Sequence, residues 1–171
     1  AGGMQLRAGG SVQLLTALDS AGPVSIAANT DLGLTGDAVV AMPLSSQNAA
    51  IAISGFNVTT SAPVTSNGGQ ISISAAAAVN TGSTISTGGG SLTLQAFNFA
   101  INGPIITSGG PLSAAASGAA TVSDDLTTAG GHITLTAGGT LTVTVGSAID
   151  ASGGAGTGVA TLRSTGARLE L

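Results

Sequence analysis

Residues 68–75 read Gly68-Gly69-Gln70-Ile71-Ser72-Ile73-Ser74-Ala75. The same scheme returns as Gly89-Gly90-Ser91-Leu92-Thr93-Leu94-Gln95-Ala96 and as Gly130-Gly131-His132-Ile133-Thr134-Leu135-Thr136-Ala137. Strict alternation over so short a run is the pattern of a β-strand with one face buried and the other in water. Working outward, apolar strand starts recur at Val12, Leu32, Ile51, Ile71, Leu92, Leu112 and Ile133, nineteen to twenty-one residues apart. A fixed period of that size predicts a stacked solenoid, because a unit this small buries its apolar face only against its neighbours.

A second apolar set precedes each corner at Ile26, Leu44, Val64, Ile85, Ile106, Leu126 and Ile149. A third lies between the two, in Phe56-Asn57-Val58, Phe97-Asn98-Phe99 and Leu141-Thr142-Val143. Near Ala96 and Phe97 the apolar positions change from even to odd numbers, as they would where a strand turns a corner. The reading is an all-β chain, a parallel β-helix of about eight coils of 19–21 residues with three short strands per coil. Residues 1–171 form a single segment, with a Gly-rich surface insertion at 153–158. The structural core is assigned to Val12, Leu32, Ile51, Ile71, Ile73, Leu92, Leu94, Leu112, Ile133 and Leu135. Asn29, Asn48 and Asn67 stand where later coils carry Gly-Gly, and Asn shares the tolerance of glycine for a left-handed corner.

Composition agrees with stacking. The chain has 28 Gly, no Cys, Trp or Tyr, and only 6% charged residues, so Ser, Thr and Asn carry the polarity. Identical positions in successive coils lie about 4.8 Å apart, a spacing at which like charges repel and hydroxyls do not. A net charge of −4 with three Arg speaks against a nucleic-acid partner. No run of apolar residues is long enough for a transmembrane helix. Ala1 opens the chain without a signal-peptide pattern, the expectation for a processed product or a piece of something longer. Absence of Cys removes disulfides and thiolate metal sites, and fits an exported protein.

Components for catalysis are sparse. His132, the one histidine, alternates with Ile133 and is read as an exposed side chain beside a corner. Asp19, Asp31, Asp37, Asp124, Asp125 and Asp150 are dispersed, and Asp124-Asp125 are read as a solvated turn rather than a calcium site, since adjacent strand residues would point to opposite faces. Phe97 and Phe99 share the parity of Ile101 and are assigned to core stacking. No Gly-Gly run is followed by Lys-Ser or Lys-Thr or opens a helix, so none reads as a phosphate loop. The chain is therefore expected to be no enzyme, with no catalytic, cofactor-binding or metal residue assigned.

Two surfaces remain. Ser72, Ser74, Thr93, Ser113, Thr134 and Thr136 form a candidate polar binding wall, interrupted by Gln95 and Ala115. Arg7, Arg163, Arg168 and Glu170 cluster towards the two ends and are candidate end-contact residues. An uncapped solenoid end is an open sheet edge, a template for another strand.

The unit Ile85-Ser86-Thr87-Gly88-Gly89-Gly90-Ser91-Leu92-Thr93-Leu94 has relatives in Ile106-Thr107-Ser108-Gly109-Gly110 and Ile149-Asp150-Ala151-Ser152-Gly153-Gly154. It resembles the repeats of filamentous-haemagglutinin-like exoproteins of Gram-negative bacteria over residues 9–162. The resemblance implies a secreted or cell-surface β-helical shaft, part of a long adhesin, and carries over no binding residue. The functional expectation is a structural segment of an extracellular fibre or adhesin whose partner is itself, head to tail, or flanking coils of a longer chain. The alternative is a module that binds glycans, host matrix or ice through its polar wall.

Overall fold

A computed structural model describes residues 2–29, 35–154 and 156–171. They form 21 β-strands and no helix, paired in parallel throughout and wound into a β-solenoid of about seven turns. Leu32 and Asp31 lie outside the described residues.

Three walls are built in turn. The first holds β1 (Met4–Arg7), β4 (Val24–Ala27), the opening half of β7 (Ile51–Thr60) and of β9 (Ile71–Thr81), β11 (Leu92–Ala96), β14 (Leu112–Ala116), β17 (Ile133–Ala137) and β20 (Ala160–Ser164). The second holds β2 (Val12–Leu14), β5 (Ala38–Val40), the closing halves of β7 and β9, β12 (Asn98–Ile101), β15 (Ala120–Val122), β18 (Leu141–Val143) and β21 (Leu169–Glu170). The third is a separate sheet: β3 (Leu18–Ser20), β6 (Leu44–Ser46), β8 (Val64–Thr65), β10 (Ile85–Ser86), β13 (Ile105–Ile106), β16 (Leu126–Thr127) and β19 (Ile149–Asp150). In two coils the first and second walls share one strand, and at that corner the register shifts by one, Gly55 pairing with Ala75 but Asn57 with Ala78, so β9 carries one residue more than β7.

The core is a set of vertical columns. Ile51, Ile71, Leu92, Leu112 and Ile133 occupy one, and Ile53, Ile73, Leu94, Ala114 and Leu135 the next, all nearly or fully buried. Each buried Ile or Leu contributes roughly 1.5–3 kcal/mol of transfer free energy, so stability accumulates coil upon coil.

Register corrects part of the periodic reading. Val24, not Val12, precedes Ile51 in its column, and 27 residues separate them. Val12 belongs to the second wall, opposite Ala38, where it is partly buried. The last full coil is also long, with Ile133 opposite Ala160, because the exposed stretch 152–154 and residues 156–158 lie outside the strands between them. Extra residues in two coils shifted a series counted at constant period. Ile26 likewise lies in the first wall opposite Ile53, and Leu18 takes the third-wall place assigned to it. Of the Ile105-Ile106 pair the first faces in and the second is 39% exposed.

The change of parity at Phe97 is real, but Phe97 is not in the core. It sits in the bend between β11 and β12 and is 55% exposed, whereas Phe99 is buried. A bend residue belongs to neither alternation, so shared parity with Ile101 did not fix its direction. Asp124-Asp125 lie in a corner, as a turn reading requires, where the Asp125 N–H donates to Asp124 Oδ1 and Asp125 Oδ1 accepts from the Ala148 N–H.

Candidate interaction surfaces

The corner leading from the third wall into the first is the most repeated chemistry in the molecule. Ser46, Ser66, Thr87, Thr107 and Thr128 are fully buried there. Each donates its hydroxyl to the carbonyl three residues on, of Ala49, Gly69, Gly90, Gly110 and Gly131. The Ser66 and Thr87 hydroxyls also lie 3.2 Å from the carbonyls of Thr87 and Thr107 in the next coil. Two further constraints produce the Gly-Gly signature. Asn29, Asn48, Asn67, Ser108 and Ala129 have φ between 47° and 58°, the left-handed region expected for the Asn positions. The second glycine of each pair is needed for space: a Cβ on Gly90 would stand 2.1 Å from the Gly69 oxygen, and one on Gly110 would stand 2.0 Å from the Gly90 oxygen. The sequence reading missed the hydroxyl column, although Ser66, Thr87, Thr107 and Thr128 recur at the coil period.

The candidate polar wall is the outer face of the first wall. Ser72, Thr93, Ser113 and Thr134 stand in one column in four successive coils, followed by Thr161. Ser74 and Thr136 stand in the next column, separated by Gln95 and Ala115, the two interruptions expected from the sequence. Ser113 is exposed, and the other five are half-buried by their neighbours. The first column is not hydroxyl throughout, since Ala52 sits below Ser72. Beside the wall, exposed Phe97 borders an open groove of about 470 Å³ floored by Ala75, Ala96 and Ala116 and edged by Ser74, Gln95 and Ser117.

The candidate end residues fall on free edges. Arg7 and Arg163 occupy opposite ends of the same outer column, which runs through Ala27, Ser54, Ser74, Gln95, Ala115 and Thr136. Arg168 Nε is 3.5 Å from Glu170 Oε1, the one ion pair among the described residues. Both side chains are well exposed, so this pair is worth at most about 1 kcal/mol. Glu170 Oε2 also accepts from Thr142 Oγ1 at 3.4 Å.

The remaining titratable groups are held in local turns. His132 is exposed, and its Nδ1 accepts from the Val159 N–H at 3.2 Å. Asp150 accepts from the Ser152 hydroxyl at 2.6 Å and the Ser152 N–H at 2.8 Å. These bonds favour the carboxylate and hold its pKa below the usual Asp value. Asn57 donates from Nδ2 to Asp37 Oδ1 at 3.0 Å. No helix among the described residues is long and apolar enough to cross a membrane, and none of their His, Asp and Glu side chains gather in threes.

Comparison with known proteins returns no relative: no family model matches the chain, and no curated protein or solved structure does.

Proposed function

We propose that this chain is a structural, non-catalytic segment of an extracellular fibre or large surface adhesin, secreted by or displayed on a Gram-negative bacterium. Its role is mechanical. A dry aliphatic core and continuous parallel ladders make a thin rod that resists bending, and copies or flanking coils join at its edges. The observation that carries this reading is the pairing pattern: every wall is hydrogen-bonded strand to strand, and the edges without a partner among the described residues are those of β1, β2 and β3 at one end and β19, β20 and β21 at the other. Such edges recruit further strands, and a head-to-tail contact that does not close on itself yields a filament.

Negative-stain electron microscopy across a concentration series tests the proposal. Filaments of one width that lengthen with concentration are expected. Discrete short rods at every concentration would remove self-association.

A second reading, a binding module, is favoured by two features. Four consecutive coils present a hydroxyl at one outer column, Ser72, Thr93, Ser113 and Thr134, as an ice-binding face requires. Phe97 and Gln95 border a groove of a size suited to stacking and hydrogen-bonding a sugar ring. Thermal hysteresis or recrystallisation inhibition would establish the first version. Glycan binding lost in Phe97→Ala would establish the second.

A further inference from the structure

The three walls do not carry equal numbers of strands. Among the described residues the first and second each hold eight and the third holds seven, from β3 to β19. Because the chain climbs from wall to wall, the first and second walls stand one strand higher than the third at the C-terminal end. A step remains over Ile149–Asp150, whose other edge is paired to Leu126–Thr127. Apolar side chains surround the step: Val143, Val145, Ile149, Leu162 and Leu171 border an open volume of about 390 Å³. Val145 and Leu171 are the most exposed large apolar residues described, at 101% and 82%.

We propose that this step seats the first strand, Met4–Arg7, of a second copy of the chain, which continues the solenoid turned by one wall, with Leu6 over Ile149 and Arg7 beside Asp150. The inference rests on the end-to-end reading above and specifies its geometry. Leu6 and Ile149 both face the core column of their wall, opposite Ile26 and Leu126, while Arg7 and Asp150 both face outward, opposite Ala27 and Thr127. Stacking one dipeptide on the other matches apolar with apolar inside. It sets opposite charges about one strand spacing apart outside, roughly 4.8 Å. The Ser152 hydroxyl and N–H both donate to Asp150 Oδ1, which favours its carboxylate form. The same turn places β2 over β20, aligning Val12-Gln13-Leu14 with Ala160-Thr161-Leu162 in the same inward-outward-inward order. It also brings Leu18 over Leu169 and Asp19 beside Glu170, a like-charge contact that the Arg168 partner of Glu170 offsets.

The alternative, stacking without the turn, is worse on two counts. β1 would lie on β20 and bring Arg7 against Arg163, at a spacing where like charges repel. The third wall would also lack one strand between Asp150 and Asp19, leaving two edges unpaired inside the joint.

A charge-swap cycle on the full chain decides, read by sedimentation velocity at low ionic strength with far-UV circular dichroism to verify folding. Arg7→Asp and Asp150→Arg are each expected to weaken association about tenfold or more, and the double variant to recover it. Arg163→Asp is expected to change little. Singles that associate like the parent protein, or a double variant that fails to recover, would overturn the seat while leaving end-to-end assembly standing. Strengthened association in Arg163→Asp would overturn it in favour of the unturned stack. A parent protein and charge-swapped double variant that both stay monomeric at all concentrations would overturn both readings.

Discussion

Two sets of fully buried threonines lie within a few ångströms of the same core and differ in kind. Thr87, Thr107 and Thr128, in the corner that enters the first wall, each bind a carbonyl three residues on. Thr60 and Thr81, stacked on one another in the inner column of the second wall, bury a hydroxyl oxygen that has no hydrogen-bond partner among the described residues. The first set closes a turn that recurs in coil after coil. The second occupies positions filled elsewhere in the same column by Val40, Ile101 and Val122. Burial alone does not tell a structural hydroxyl from a misplaced one; the partner does.

That contrast can be sharpened by substitution. The largest effect is expected next to the corner hydroxyl, at the glycine whose carbonyl it binds. In Gly90→Ala the new methyl would collide with the Gly69 carbonyl at 2.1 Å. Forcing the coils apart is expected to cost about 3 kcal/mol, visible in denaturant unfolding. Thr107→Val keeps the shape and deletes the donor to Gly110, and is expected to lose about 2 kcal/mol in the same assay. Thr81→Val makes the same chemical change in the second wall, and a gain of about 1 kcal/mol is expected, since an unpartnered hydroxyl is replaced by a methyl. Equal losses at Thr107 and Thr81 would erase the distinction.

The smallest effect lies outside the core, where Ser152→Ala removes the stronger of the two bonds that lower the Asp150 pKa. The titration midpoint of Asp150, followed by nuclear magnetic resonance, should move up towards the ordinary Asp value of about 3.9. A folded-state pKa below the unfolded value means that the stabilising contribution is present above about pH 4. It is lost as pH falls through the lowered midpoint. The variant should therefore show a weaker loss of stability on acidification than the parent protein.

Much of the fold was legible because the interior repeats. Ile71, Ile73, Leu92, Leu94, Leu112, Ile133 and Leu135 face the core as alternation requires, and the polar residues between them face water. What periodicity missed has physical causes. A constant period cannot register an insertion, so Val12 was placed in the column that Val24 occupies. Parity says nothing about a bend, so Phe97 was placed inside. The corner hydroxyls were passed over because Ser and Thr are common in this chain, and only their phase relative to Gly-Gly sets them apart. The outer face is less legible for a different reason. Its column through Arg7, Ala27, Ser54, Ser74, Gln95, Ala115, Thr136 and Arg163 has no fixed residue type, because water accepts them all.

Each coil is specified from within, wall by wall. Replacing every residue from Ile85 to Ile105 singly by Asp, and measuring thermal unfolding, tests it most directly. Heavy losses are expected at Ile85, Thr87, Gly90, Leu92, Leu94, Ala96, Phe99, Ile101 and Ile105, and small ones at Ser86, Thr93, Gln95, Phe97, Asn98 and Ala100. The sensitive positions should change from even to odd across the bend at Phe97. Losses without alternation, or an alternation that runs through Phe97 unchanged, would contradict the three-walled solenoid.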